Sequence, residues 1–575
     1  MRTRHLVATC FLAGTVSLST LALAQPQATA PAASAAPVAA PPPPVAAPPV
    51  AAPPPVAAPP GPAVPPVQDA MRPVPPPDST VITWPPVAVA ADGRPLAGCH
   101  AGLCYTRDAN DTFRLFVGGA LHIDGNYYAG RGVPDTALKT QINLRRARLI
   151  LAGEFMDKLQ FVIMHEVGAS ALDNIQGTRQ DFAAAVGQDP TASSARFSEV
   201  QAPKVTSRLQ DAYINYRAHK VLNVQVGQFK VPFMMENRTS SNSTSLLEDS
   251  LALRNLGSPY GRDIGLMAWG NLDKSVLYYS AGVFLGDGIN RANVDNRFDG
   301  AARVFVRPFA GGDSFLKGLH VGASATLGSR DPHRVGYDVW TMKTQGGWGF
   351  WGPTYTDSLK RVNHVIPAGK QEAVAAEFWL PLGRLDLRGE FVYARNETRE
   401  AVDGYQLANT ERFGTLSGWG YYAQAGYAIW GQPLLGGEPG NDAPRHLDFT
   451  KPQGSKTAKL LEAIVRWEQI KLDYRGSDRS GQADSSNLDG FIKVNALNLA
   501  ANYWLGKNFR CTLSYAYYMF PGSEPKSAST PGGAVWNEEQ RALAPGNALQ
   551  KGVNDGGRDG AHALHEIAAR FGMQF

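Results

Sequence analysis

Cysteine is scarce in this 575-residue chain, with four in all. That excludes a scaffold held mainly by disulfides. Charge of one sign is also lacking. Lys and Arg number 55 against 50 Asp and Glu, a net charge of +5. So small an excess gives no bulk attraction for nucleic acid, and none is expected as a partner. Beyond residue 24 no apolar run approaches the ~18 residues of a membrane-crossing helix. No glycine-rich phosphate loop and no cluster of Cys and His with metal-ligand spacing occurs, so no cofactor or metal is expected. Proline is plentiful, 42 residues, but most of it lies before residue 97.

The first 97 residues read as an address and a spacer. Arg2, Arg4 and His5 precede an apolar run over 6–23, and Ala22-Leu23-Ala24 supplies a small-x-small cleavage site. Residues 1–24 are therefore expected to be an export signal cut before Gln25. Residues 25–97 repeat units such as Val45-Ala46-Ala47-Pro48-Pro49. Proline fixes φ and removes amide donors, so this stretch is expected to be an extended, disordered periplasmic tether, with contact to the cell wall as a hypothesis. Cys99 and Cys104 follow in a short Cys-x4-Cys segment at 98–111. An oxidising compartment favours a small disulfide loop there over free thiols. Cys511 stands alone inside a strand pattern.

From residue 112 the period is two. Phe113, Leu115, Val117, Leu121 and Ile123 share one face of the first segment. Arg114, Ala120, His122, Asp124 and Asn126 share the other. The last segment alternates Ile567, Ala569, Phe571, Met573 and Phe575 with Glu566, Ala568, Arg570, Gly572 and Gln574. Such alternation means strands with one apolar and one polar face. The segments run to ~10 or more residues, enough to cross a bilayer at a tilt, where a soluble strand has ~5–6. Tyrosine pairs at 127/128, 278/279, 421/422 and 517/518 read as interfacial girdles. Short connections (156–158, 218–221, 271–274, 506–507) alternate with long ones (168–207, 234–260, 329–370, 521–561). The expectation over 112–575 is an all-β, 16-stranded antiparallel transmembrane barrel in the bacterial outer membrane. Its first strand is placed at 113–127 and its last at 562–575. One connection, 430–458, is too long for the short-turn end: either a hairpin is hidden there or it is a periplasmic excursion. Phe575 ends an alternating strand and resembles the signal read by the barrel assembly machinery.

Several ordered stretches resemble the phosphate-selective porin O/P family: Leu144-Arg145-Arg146-Ala147-Arg148-Leu149, Asp211-Ala212-Tyr213-Ile214-Asn215-Tyr216, Val226-Gly227-Gln228-Phe229-Lys230-Val231-Pro232-Phe233 with Glu236, Gly261-Arg262-Asp263-Ile264-Gly265, and Ala496-Leu497-Asn498-Leu499-Ala500-Ala501-Asn502-Tyr503-Trp504. The resemblance implies a trimeric barrel that passes small inorganic or organic anions, phosphate or polyphosphate among them. It implies pore-facing roles for Arg145 and Arg146, and a constriction role for Ser240. Arg148, Lys230 and Arg262 complete the candidate set from the strand pattern, and Arg238 joins it as a substitute for one of the basic residues the phosphate-specific members carry. Strict alternation would turn Arg146 and Arg148 inward and leave Arg145 to reach the lumen only near the strand end. A wall position or a salt bridge to a loop acid is the alternative for each arginine. The chain also departs from the phosphate-specific members. Ala120 stands where they have Arg, Asn237 where they have Lys, and Asp249 where they have Arg. A general, non-selective porin therefore competes with an anion channel. So does a plugged structural envelope barrel tethered to the wall, with loop 168–207 or 329–370 as the inward-folding candidate. A barrel enzyme would need a nucleophile and base together. Ser280 and His165 have no convincing partner in the sequence.

Overall fold

In a computed structural model the structure describes residues 103–130, 140–169, 205–219, 221–257, 261–272, 276–331, 362–402, 412–440, 458–477, 490–519 and 563–575, with parts of 89–100 and 342–356. The export signal and most of the Pro/Ala-rich segment lie outside these residues, as does the connection 170–204.

Two short strands come first, β1 (Ala97–His100) and β2 (Leu103–Arg107). The barrel wall then begins with β3 (Phe113–Ala129), β4 (Thr140–Phe155), β5 (Leu159–Ala169), β6 (Val205–His219) and β7 (Leu222–Lys230). It continues with β8 (Arg262–Leu272), β9 (Leu277–Phe284), β10 (Asp299–Val306) and β11 (His320–Arg330). Three small strands follow, β12 (Met342–Lys343), β13 (Gly349–Trp351) and β14 (Thr354–Thr356). The wall resumes with β15 (Val362–Leu382), β16 (Leu385–Val402), β17 (Arg412–Gly431) and β18 (Lys459–Ser477), then β19 (Gly490–Leu505), β20 (Phe509–Met519) and β21 (Ala563–Gln574). Each long strand pairs antiparallel with the next, and β21 pairs with β3. The described residues thus form a closed 16-stranded barrel, the expected count. Closure leaves no wall strand as an open edge.

Alternation decides what faces where. Val117, Leu149, Val226, Leu266, Leu513 and Phe571 are exposed on the outer wall. Arg114, His122, Asp124, Arg146, Asn498 and Arg570 are buried on the inner one. Apolar side chains turned outward and polar ones turned inward suit a wall that meets lipid outside and encloses a polar lumen. No helix among the described residues is long and apolar enough to cross a membrane. The tyrosine pairs follow the same rule, which corrects their reading as girdles. Tyr127 is 46% exposed while Tyr128 is 2% exposed. In each pair one ring can join the outer belt, and Tyr128, Tyr278, Tyr422 and Tyr518 are buried.

The long connection after β17 inserts no strand pair into the wall, and its residues 441–457 lie outside the described ones. β17 and β18 pair directly, up to Gly431 opposite Leu460. Residues 432–440 instead turn back into the barrel end, where Leu435 packs with Trp504 and Leu460. Arg303 Nη1 donates to the Gly440 carbonyl at 3.0 Å.

β1 and β2 form a hairpin whose register sets Cys99 opposite Cys104, and Cys104 is disulfide-bonded. β2 then pairs with the start of β3, from Cys104 opposite Val117 to Arg107 opposite Arg114. The Cys-x4-Cys segment is thus continuous with the wall.

Candidate functional site

The segment between β7 and β8 enters the lumen. Residues 231–239 and 244–248 are buried, as are Ser250 to Leu253. Its apolar content drives this: Phe233, Met234, Met235, Leu246, Leu247 and Leu251 are at most 1% exposed. Such residues would be unfavourable on a solvent loop. A short helix, α1 (Leu251–Leu256), is capped by Ser250, whose hydroxyl accepts from the Leu253 amide. It packs among the inward residues Val392, Leu416, Ile470 and Leu472. The expectation that 168–207 or 329–370 folds inward is corrected in part. The main inward loop is 231–257; within 329–370, Gln345 and Gly346 also reach the lumen and donate amides to Glu566; and 170–204 lies outside the described residues.

Strands β20, β21, β3 and β4 bring a cluster of arginines together. In the β3–β4 ladder His122 faces Arg146 and Ile123 faces Leu144, so the register skips Arg145. This is a β-bulge, two residues set against one. It breaks the alternation and brings Arg145 and Arg146 to the same carboxylate. Arg145 Nε and Nη2 donate to Glu248 at 3.1 and 3.0 Å. Arg146 Nη1 and Nη2 donate to it at 3.1 and 2.8 Å. Strict alternation therefore fails at this pair, and the loop-acid alternative holds for both arginines.

Arg148 pairs with Glu166 and donates to the Ser241 hydroxyl. Two further arginines join from strands far along the chain. Arg570 on β21 holds Asp124 with Nε and Nη2, both at 2.7 Å, and its Nη2 also reaches Glu248 at 2.7 Å. Arg510 on β20 donates to the Thr244 carbonyl and lies over the Trp504 ring, 4.9 Å from its centroid. Neither was singled out from the sequence, although both stand on the polar side of an alternating strand. Arg145, Arg146, Arg148 and Arg570 pair with the carboxylates of Asp124, Glu166 and Glu248, and Arg510 stands on the neighbouring strand. The group keeps an excess of positive charge.

Burial opposes ionisation of Glu248, but the guanidiniums of Arg145, Arg146 and Arg570 outweigh it and hold the carboxyl well below the usual carboxylate range. Next to it, burial and then the charges of Glu236 and Glu248 push Asp249 up to about 6.

The other candidates play structural parts. Lys230 Nζ donates to the Thr239 carbonyl at 2.7 Å, and Arg238 Nη1 to the Lys230 carbonyl at 2.5 Å. Together they hold the loop's first turn. Ser240 accepts from the Asn242 amide at 3.3 Å. Arg262 Nε donates to Asp211 at 2.9 Å. Asn237 ties the loop base, donating to the carbonyls of Val231 and Gly261 at 3.0 and 3.2 Å. Ala120, at the position of a missing arginine, is buried on the inner wall.

Strands β16 and β18 anchor the loop by their acids. Glu390 accepts the amides of Met235 and Glu236 at 2.6 and 2.8 Å. Glu236 pairs with Arg466 at 2.8 Å, and Glu468 accepts the Leu251 amide at 2.7 Å. The loop is thus tied by carboxylates to β16 and β18, and by arginines to β20, β21 and β4.

Ser280 donates to the Arg303 carbonyl at 3.4 Å, and His165 meets the Ser207 hydroxyl at 3.0 Å. The structure gives His165 the serine partner the sequence lacked. No group orienting the other ring nitrogen appears among the described residues. No set of three His, Cys, Asp or Glu side chains placed to hold a metal occurs among them either.

A closed barrel with an apolar outer belt, a charged interior and an inward loop is an outer-membrane channel of the porin type. Residues 116–518 match the profile of the family described as phosphate-selective porin O and P, and the chain belongs to that family. Among solved structures it is similar to OmpT, an outer membrane protein of Vibrio cholerae, at 9% identity and a TM-score of 0.42, covering 80% of this chain and 98% of that one. It is similar to an anion-selective porin from Comamonas acidovorans at 9% identity and a TM-score of 0.39, over 80% of this chain and 100% of that one. It is also similar to the outer membrane channel DcaP of Acinetobacter baumannii at 10% identity and a TM-score of 0.38, over 81% and 99% of the two chains. No curated protein matches it.

Proposed function

We propose that the barrel is a diffusion channel for small anions, with oxyanions such as phosphate among its solutes. The observation that supports this best is the run of Arg145, Arg146, Arg148, Arg510 and Arg570 along neighbouring wall strands, facing the inward loop with fewer carboxylates than guanidiniums. Positive charge at a narrow point lowers the barrier to anions, and guanidinium forks suit planar or tetrahedral oxyanions. Lys230, Arg238 and Arg262 support the loop and wall around this path. Cys99 and Cys104 are proposed to bridge, stiffening the hairpin before the barrel. Assembly as a homotrimer, with Phe575 contributing to insertion, belongs to the same proposal.

The test is a reversal potential in a KCl gradient across a planar bilayer, followed by addition of phosphate. An anion-selective potential with phosphate block is expected. A large conductance without ion preference would make the protein a general porin.

A second reading has its own support. α1 and the apolar inner residues Val392, Leu416, Ile470, Leu472, Ile492 and Val494 fill part of the lumen. A plugged structural barrel predicts no conductance from an intact assembly in the same bilayer.

A further inference from the structure

Glu248 receives five hydrogen bonds from three guanidiniums, those of Arg145, Arg146 and Arg570. A carboxylate is a monoanion with two oxygens. Its three arginines outnumber Glu248 and Asp124 by one charge, and Glu166, 4.0 Å from Arg146, is shared with Arg148 and Arg208. The surroundings keep unused polar atoms as well. Arg510 Nη2 and His122 Nδ1 are buried without a hydrogen-bond partner, on side chains each 3% exposed. Buried polar groups are normally satisfied, so such atoms beside a cationic cluster point to a larger anion than the one present. Arg510, Gly572, His122 and Arg146 lie in one row across β20, β21, β3 and β4. A tetrahedral dianion offers four oxygens and twice the charge.

We propose that Glu248 is a tethered competitor: an internal carboxylate that fills the oxyanion site, and that phosphate or a similar dianion exchanges with it. This rests on the reading of the lumen as an anion path. The loop is built for a local exchange. Residues 244–248 are held to this wall through the same donors. Arg510 binds the Thr244 carbonyl, Asn502 the Ser245 carbonyl at 2.7 Å, and Arg570 the Leu247 carbonyl at 2.5 Å. The flanking parts are anchored separately on β18, Glu236 to Arg466 and the Leu251 amide to Glu468. An anion that takes the arginines lifts only 244–248. A tethered group has an effective concentration on the order of mM. Free phosphate should therefore compete in the millimolar range.

The full-length protein is tested in planar bilayers by the concentration of inorganic phosphate that halves the chloride current, in the wild type and in Glu248→Gln. A half-blocking concentration about tenfold lower in the variant is expected. An equal or higher one overturns the proposal, since Glu248 would then be absent from the site or would position the arginines. Chloride-over-potassium selectivity of the wild type, read in the same membrane, reports on the channel reading separately. Should the variant not fold, hydrogen exchange on the wild type decides. Amides of 244–248 should exchange faster in phosphate than in chloride of equal ionic strength, and unchanged exchange overturns the proposal.

Discussion

Phe575, the last residue of the sequence, seats its ring on Gly119. Their backbones exchange two hydrogen bonds, Gly119 N to Phe575 O at 2.9 Å and Phe575 N to Gly119 O at 3.0 Å. A Cβ on Gly119 would lie 2.5 Å from the Phe575 ring and 2.8 Å from the Arg148 carbonyl. Above this point β21 covers the edge of β3, and below it β2 does. The pair therefore marks the seam where the barrel closes.

Gly119→Val should weaken this seam. Phe575 can swing away, but the Arg148 carbonyl belongs to the neighbouring strand and cannot move freely. Overpacking of this kind costs about 1–3 kcal/mol. The check is the temperature at which the folded barrel loses its heat-modifiable mobility on a gel, which should fall. Phe575→Ala in the same background should recover only part of the loss.

Asp249 should make the selectivity of the proposed channel depend on pH. Its carboxyl is raised to about 6, above the ~3.9 of an unperturbed aspartate. A raised acid pKa favours the protonated native state. Its stabilising contribution is present below about 4 and is lost as pH rises through about 6. Ionisation also places a negative charge beside the arginine wall. The chloride-to-potassium permeability ratio should therefore be higher at pH 5 than at pH 7.5. Asp249→Asn should flatten that difference.

A buried ionic group braces the short-turn half of the wall. Arg303 Nε and Nη2 hold Glu377 at 2.9 and 2.7 Å, and His320 Nε2 meets the same carboxylate at 2.7 Å. All three are at most 3% exposed. Removing one partner of a buried pair leaves an uncompensated charge and costs about 3–5 kcal/mol. Glu377→Leu should show that loss in a urea titration. Combining it with Arg303→Met should restore part of it.

Thiol counting checks the hairpin. In the chain lacking residues 1–24, denaturation without reductant should expose one reactive thiol, that of Cys511, the free cysteine. Reduction should raise the count to three. Three thiols before reduction would remove the Cys99–Cys104 bridge.

The wall was legible because its rule is local. Alternation from Phe113 to Ile123, and again from Glu566 to Phe575, says which side chains meet lipid and which meet the lumen. The inward loop was less legible, although it carries a signal. Phe233-Met234-Met235 and Leu246-Leu247 are too apolar for a solvent connection, and that density could have marked 231–257 as the segment that enters. Arg145 could not be placed by alternation, because the bulge beside His122 shifts the register by one residue.

The sequence by itself determined the barrel strands and their apolar outer belt, and the family resemblance supplied the number sixteen. A period of two is a property of each strand alone, and the bilayer imposes its length. Only the tertiary structure decided the contents of the lumen. Arg570 and Asp124 are 446 positions apart and meet because β21 closes on β3. Glu248 finds Arg145, Arg146 and Arg570 because an apolar loop cannot remain in water and folds inside. Which charges share a site therefore depends on closure, a bulge and burial acting together, and no one stretch of residues contains all three.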